Sequence, residues 1–110
     1  MSPISMNDRG EAIFSSGPPS VTSDTLTAAN SPYTIDIETA LGRKGNGGAV
    51  LNDATTLVSM TVQLLHDAGG SYDSAITLQS GESLDLRGRS ISAVKLTRVG
   101  SDCAFRVTVW

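Results

Sequence analysis

The sequence predicts an all-β fold, a single antiparallel β-sandwich or jelly-roll-like domain of about eight short strands with an extended N-terminal arm. Three observations predict it. Apolar residues tend to recur with a period of two, which sends alternate side chains to opposite faces of a strand. Gly, Asn, Asp and Pro interrupt that pattern at short intervals, as tight turns require. Aromatic residues make up only 5% of the 110 residues, so the core must be mainly aliphatic, and Val and Ile suit pleated strands. A chain of this length holds one hydrophobic core and buries roughly two thirds of the surface it exposes when unfolded.

The first segment, "MSPISMNDRGEAIFSSGPPS", holds three of the four prolines. Pro18 and Pro19 cannot sit inside a paired strand, because proline lacks the backbone donor. Only "EAIFS", with Ile13 and Phe14, has strand character. Residues 1–20 therefore read as an extended arm, of the kind that lies on a neighbour or stays mobile, and residues 21–110 as the sandwich domain. "SVTSDTLTA" is a weak strand, ended by the break at Asn30 and Pro32. "YTIDIETAL" reads as a strand with Tyr33, Ile35 and Ile37 on one face and Thr34, Asp36 and Glu38 on the wet one.

"GRKGNGGA" reads as a mobile, glycine-rich surface loop carrying Arg43 and Lys44. "ATTLVSMTVQLLH" gives the clearest strand, with Val58, Met60, Val62 and Leu64 opposite Leu57, Ser59, Thr61 and Gln63. Its β-branched residues and strict alternation argue against a helix. "DAGGSYD" supplies the positive backbone angles of a hairpin-like connection. Four short segments follow: "SAITLQ", "ESLDL", "SISAVKLTRV" and "CAFRVTVW". In the last, Phe105, Val107 and Val109 share a face, with Arg106, Thr108 and Trp110 on the other.

The formal charge of −3, with no basic block, gives no sign of a nucleic-acid partner, whose phosphates would call for a cationic face. No apolar run is long enough to span a bilayer as a helix, so no membrane partner is expected. The first residues lack the basic start and continuous apolar run of a secretory signal, which points to a soluble protein made in the cytoplasm. Cys103, the single cysteine, excludes an intramolecular disulfide and a cysteine-based zinc site, and is expected to pack as a small apolar group.

Candidate chemistry is sparse. "GRKGNGG" lacks the order of a P-loop. His66, with Asp67 and Asp73 nearby, suggests a metal or acid–base site, but one histidine falls short of a transition-metal ligand set, so these read as turn residues. Asp36 and Glu38 would share a strand face, yet two acids supply too few oxygens for calcium. There is no Gly-x-Ser-x-Gly elbow. No catalytic residue, cofactor or metal is expected, and the chain reads as a non-enzyme.

What remains is surface. Trp110, the only tryptophan, either closes one end of the sandwich or inserts into another subunit. Arg87 and Arg89 flank one turn, a place where a subunit or a shell docks, while Arg43 and Lys44 would be rim contacts. With the arm residues, the expected interface set is Ile13, Phe14, Pro18, Pro19, Arg43, Lys44, Arg87, Arg89 and Trp110.

The order "TLTAANSPYTIDIETAL" and then "ITLQSGESLDLRGRSISAVKLTRVGSDCAFRVTVW" resembles small β-sandwich virion proteins of tailed bacteriophages. In these, a "GESL" style turn, an "I.AV" style strand and a last "F.V.V" style strand close the fold. The resemblance covers Val21 to Trp110 loosely. It implies a structural virion protein, most often a capsid decoration or cement protein that binds the major capsid protein on the outer shell as a homotrimer. A tail, baseplate or fibre domain is the alternative, and no catalytic residues carry over. Two other classes stay open: a carbohydrate-binding module using Phe14, Tyr33, Tyr72, Phe105 or Trp110, and a cupin-like enzyme, which would need more histidines.

Overall fold

The computed structural model describes residues 19–110. The expected arm residues Ile13, Phe14 and Pro18, and "EAIFS" with them, lie outside the described residues. The described residues form eight strands: β1 (Ser20–Leu26), β2 (Tyr33–Asp36), β3 (Gly48–Asn52), β4 (Ser59–Leu65), β5 (Ile76–Leu78), β6 (Ser83–Asp85), β7 (Ala93–Val99) and β8 (Cys103–Val109). One short helix, α1 (Ile37–Leu41), follows β2.

The strands form two four-stranded antiparallel sheets, in the orders β1-β8-β3-β6 and β2-β7-β4-β5. The pairs β1–β8, β2–β7, β3–β6 and β4–β5 nest inside one another, so the chain is a single long hairpin. It is rolled until β8 meets β3 and β7 meets β4. This connectivity is that of the jelly roll, a β-sandwich that buries one face of each sheet against the other.

Alternation places the core where the sequence predicts it. Met60, Val62 and Leu64 of β4 face Phe105, Val107 and Val109 of β8 across the interior, and all six are buried. Tyr33 meets Phe105 edge-on, with ring centroids 5.1 Å apart. Each fully buried side chain of this size contributes about 1.5–3 kcal/mol of hydrophobic stabilisation. Cys103 is free and buried, and its thiol donates to Asn52 Oδ1 at 3.2 Å. Burial pushes its thiol above the usual range.

Three expectations need correction. The strand expected through Leu41 stops at Asp36, whose side chain accepts from the Thr39 backbone N–H and caps α1. The Ser92 carbonyl accepts from both the Ile37 and Glu38 N–H groups, holding the helix start against β7. Gly42, in the left-handed region at φ 75°, ends it. Asp36 and Glu38 therefore do not share a strand face: Asp36 is a cap, and Glu38 accepts from the hydroxyl of buried Ser92.

The second correction concerns "GRKGNGGA", read as a mobile surface loop. Gly45, Gly47 and Gly48 are buried, and Gly48 opens β3, a strand paired on both sides. At Gly48 the backbone of β8 approaches closely, which is the alternative meaning of glycine in a strand, while side chains crowd the other two, Ile37 at Gly45 and Trp110 at Gly47. The third concerns the strand expected from Ala54. β4 starts at Ser59; the residues before it form a loop in which Leu57 is 97% exposed while Ala54 and Val58 pack on the core.

Candidate docking site

The loop between α1 and β3 is the hub of one end of the sandwich. Gly45 exchanges two backbone hydrogen bonds with Ile91, at 2.8 and 2.9 Å. The Gly88 N–H donates to the Asn46 carbonyl at 3.0 Å, which brings in the turn between β6 and β7. Asn46 and Gly47 both donate to the Trp110 carbonyl, and the Trp110 N–H donates to Gly47. Ser20 pairs with Val109, so Pro19 enters β1 beside Trp110.

Residues far apart in sequence thus meet around the loop: Arg43 and Lys44 on it, Arg87 and Arg89 on the β6–β7 turn, Trp110 after β8, and Pro19 before β1. All six belong to the interface set expected from the sequence, and the structure brings them to one end.

Trp110 neither closes the sandwich nor swings free. Its indole lies over Gly47, where an added Cβ would come within 2.8 Å of Nε1. The side chain remains 49% exposed, and Val21 on the neighbouring strand is 60% exposed. A notch without a side chain therefore fixes an aromatic ring while leaving part of it open.

Two of the four cations at this end, Lys44 and Arg87, pair with acids of the same molecule. Lys44 Nζ lies 2.6 Å from Asp67 Oδ1, and Arg87 Nη2 lies 3.0 Å from Asp85 Oδ2. The Lys44 ammonium holds the Asp67 carboxyl below its ordinary value, and the Arg87 backbone N–H, with its guanidinium, does the same for Asp85. Arg43 Nη1 donates to the Lys44 carbonyl at 2.9 Å. These exposed pairs position side chains more than they stabilise the fold. They also reduce the cationic field that Lys44 and Arg87 present at this end.

His66 bridges two loops beside this end. Its Nδ1 lies 2.9 Å from the Ser90 carbonyl and its Nε2 2.8 Å from Asp73 Oδ2. Both ring nitrogens face acceptors, so only the imidazolium satisfies both, and neither nitrogen is open to a metal. Among the described residues, no group of three or more His, Cys, Asp or Glu side chains is placed to hold a metal ion. The Ser90 carbonyl, and then Asp73, raise the His66 pKa above its ordinary 6.5, with Arg89 opposing them.

The stabilisation is fully present below about 6.5, the unfolded value, and is lost as pH rises through the higher folded value. A proton NMR titration should give His66 an apparent pKa above 6.5, and Asp73→Asn should lower it while the Ser90 contact keeps part of the shift. An unshifted titration in the parent protein would contradict this geometry.

Among the described residues the aromatic side chains do not form a common platform. Phe105 is in the core with Tyr33 against it, and the Lys95 ammonium lies 4.4 Å from the centre of the Tyr72 ring. No helix among the described residues is long and apolar enough to cross a membrane. Comparison with protein-family models, curated proteins and solved structures found no match to this chain. Fold and surface together define a jelly-roll sandwich that presents a seated aromatic residue at one end.

Proposed function

We propose that the chain is a non-catalytic structural protein of a tailed-bacteriophage particle, a decoration or cement protein that docks on the outer shell through the Trp110 end of the sandwich. One observation carries the docking reading: Trp110 is fixed over Gly47 and stays half exposed, beside exposed Val21. A rigid, partly open indole supplies contact area with little further ordering cost, which is how tryptophan comes to dominate interfaces. The particle setting rests on the resemblance of Val21–Trp110 to small virion sandwiches. The jelly roll is compatible with it, since capsid domains use this fold, though lectins and cupins use it as well.

The major capsid protein is the proposed partner. Binding of purified protein to shells that lack it should weaken about thirtyfold in Trp110→Ala, the effect of losing a hot-spot side chain. The same substitution should lower folding stability by no more than about 1.5 kcal/mol, because much of the indole is already in water. Unchanged shell binding would remove Trp110 from the site, and absence of the protein from purified particles by mass spectrometry would overturn the particle reading itself.

A further inference from the structure

β1 lies at the edge of its sheet and pairs along all seven residues with β8. Edge strands expose backbone donors and acceptors that another strand can take up. Which groups of β1 point outward follows from β8. The Trp110 N–H donates to Gly47 and the Ala104 carbonyl accepts from Asp53, so the even-numbered residues of β8 turn toward β3. Cys103, Phe105, Val107 and Val109 therefore turn toward β1, where they pair with Leu26, Asp24, Thr22 and Ser20.

The backbone groups of Val21, Ser23 and Thr25 consequently point away from the sheet. Thr25 bears this out, because its N–H donates to Asp24 Oδ1 at 2.7 Å and its carbonyl accepts from Asn30 Nδ2 at 2.9 Å. Those two side chains close the edge at Thr25. At the other end stands Pro19, which has no N–H to offer. Between them Val21 and Ser23 present a donor and an acceptor each.

We infer that this window pairs antiparallel with the same window of a second copy, about a two-fold axis through Thr22, joining two four-stranded sheets into one. Val21 then exchanges both backbone hydrogen bonds with the partner's Ser23, and Ser23 with the partner's Val21. Pro19 falls opposite the partner's Thr25, so the residue without a donor meets the residue whose groups are already engaged. Asp24 falls opposite the partner's Ser20, which avoids like charges face to face.

Neighbouring registers are poorer. Centred on Val21, the pairing sets Ser23 opposite Pro19, which returns no N–H to the Ser23 carbonyl; centred on Ser23, it spends Val21 on the closed Thr25; centred on Asp24, it sets two carboxylates against each other. The complementarity of this strand with itself is what selects a second copy as the occupant. The contact is small, so the dimer is weak, with a dissociation constant of roughly 10 µM to 1 mM. This inference stands apart from the particle reading, and a three-fold assembly would need a different surface.

Sedimentation of the full chain tests it, read between roughly 10 µM and several mM. The mass should rise from one chain toward two. Ser23→Pro removes one outward N–H from each copy, leaves the pairing with β8 intact and should raise the dissociation constant at least about tenfold, or about 1.4 kcal/mol. Thr22→Lys, which keeps every backbone group and sets two ammonium groups at the two-fold axis, should do likewise. Hydrogen exchange at the Val21 and Ser23 amides should slow as concentration rises. A single-chain mass throughout, a three-chain assembly, variants that associate like the parent, or amides already protected in the single chain would each overturn the inference.

Discussion

Gly48→Ala is expected to lower folding stability by about 3–5 kcal/mol, enough to leave a marginal domain of this size largely unfolded. Gly48 sits at φ 136°, where residues with a side chain are strained. An added Cβ would also stand 2.0 Å from the Thr108 carbonyl oxygen and 2.9 Å from the Val109 Cα, both backbone atoms of β8. Backbone in a paired strand cannot swing aside as a flexible side chain can. The methyl group therefore pushes β3 from β8, and Gly48 pairs there with Val109. Urea unfolding of the variant beside the parent checks the size of the loss, and Gly42→Ala is a useful comparison. Gly42 also has positive φ, but nothing lies within 4 Å of its would-be Cβ, so its loss should be the smaller.

Gly48 also shows why part of the fold was hard to read. In "GRKGNGGAVLN" the glycines and paired cations carry the composition of a loop, and only Ala49, Val50 and Leu51 carry the strand. A strand begun by glycine for close approach to another backbone looks locally like the end of a loop, because the approaching backbone, at Thr108 and Val109, is far away in the chain. β4 and β8 were legible because one face of each is buried along its length, which imposes strict alternation.

Helix α1 was hidden by a coincidence of periods. Ile35 and Ile37 look like alternate residues of one strand, while Asp36 at the cap and Gly42 after the last turn were readable as helix boundaries. The interface residues were legible one by one but not as a group. Arg43, Arg87 and Trp110 belong together only because β3 lies between β6 and β8, a strand order that alternation cannot supply.

The electrostatics of that end sharpen what the surface can do. Lys44, expected as a rim contact, is held by Asp67, and Arg87, expected to flank a docking turn, is held by Asp85. Raising salt should therefore weaken the proposed docking less than removing the indole does, since exposed ion pairs are screened at a Debye length of about 8 Å at physiological ionic strength while apolar burial is not. An encounter guided mainly by shape and apolar area also tolerates the net charge of −3.

Asn52→Ala is the second substitution with a large expected effect, about 3–4 kcal/mol, and it acts at the far end of β3 from Gly48. Asn52 is fully buried. Its Nδ2 donates to the Val58 and Leu78 carbonyls at 3.0 and 2.9 Å, while Oδ1 accepts from the Ala54 N–H at 3.1 Å and from the Cys103 thiol at 3.2 Å. One amide thus ties β3 and the loop before β4 to β5 of the opposite sheet. Alanine would leave the Leu78 carbonyl unpaired in the interior, remove the partners of the half-buried Val58 carbonyl and Ala54 N–H, and leave a void besides, which is why the loss exceeds that of an ordinary hydrogen bond. Asn52→Asp separates these causes. It keeps the volume but sets a carboxylate against two carbonyl oxygens, so burial and those acceptors raise its pKa in the folded state. A raised folded pKa makes the variant more stable as pH falls through that value, because the protonated acid regains a donor. Urea unfolding of both variants across the acid range should show the deficit of Asn52→Asp shrinking with falling pH while that of Asn52→Ala stays nearly constant. Equal, pH-independent losses would mean that volume, and not the amide's two donors, holds the sheets together at this end.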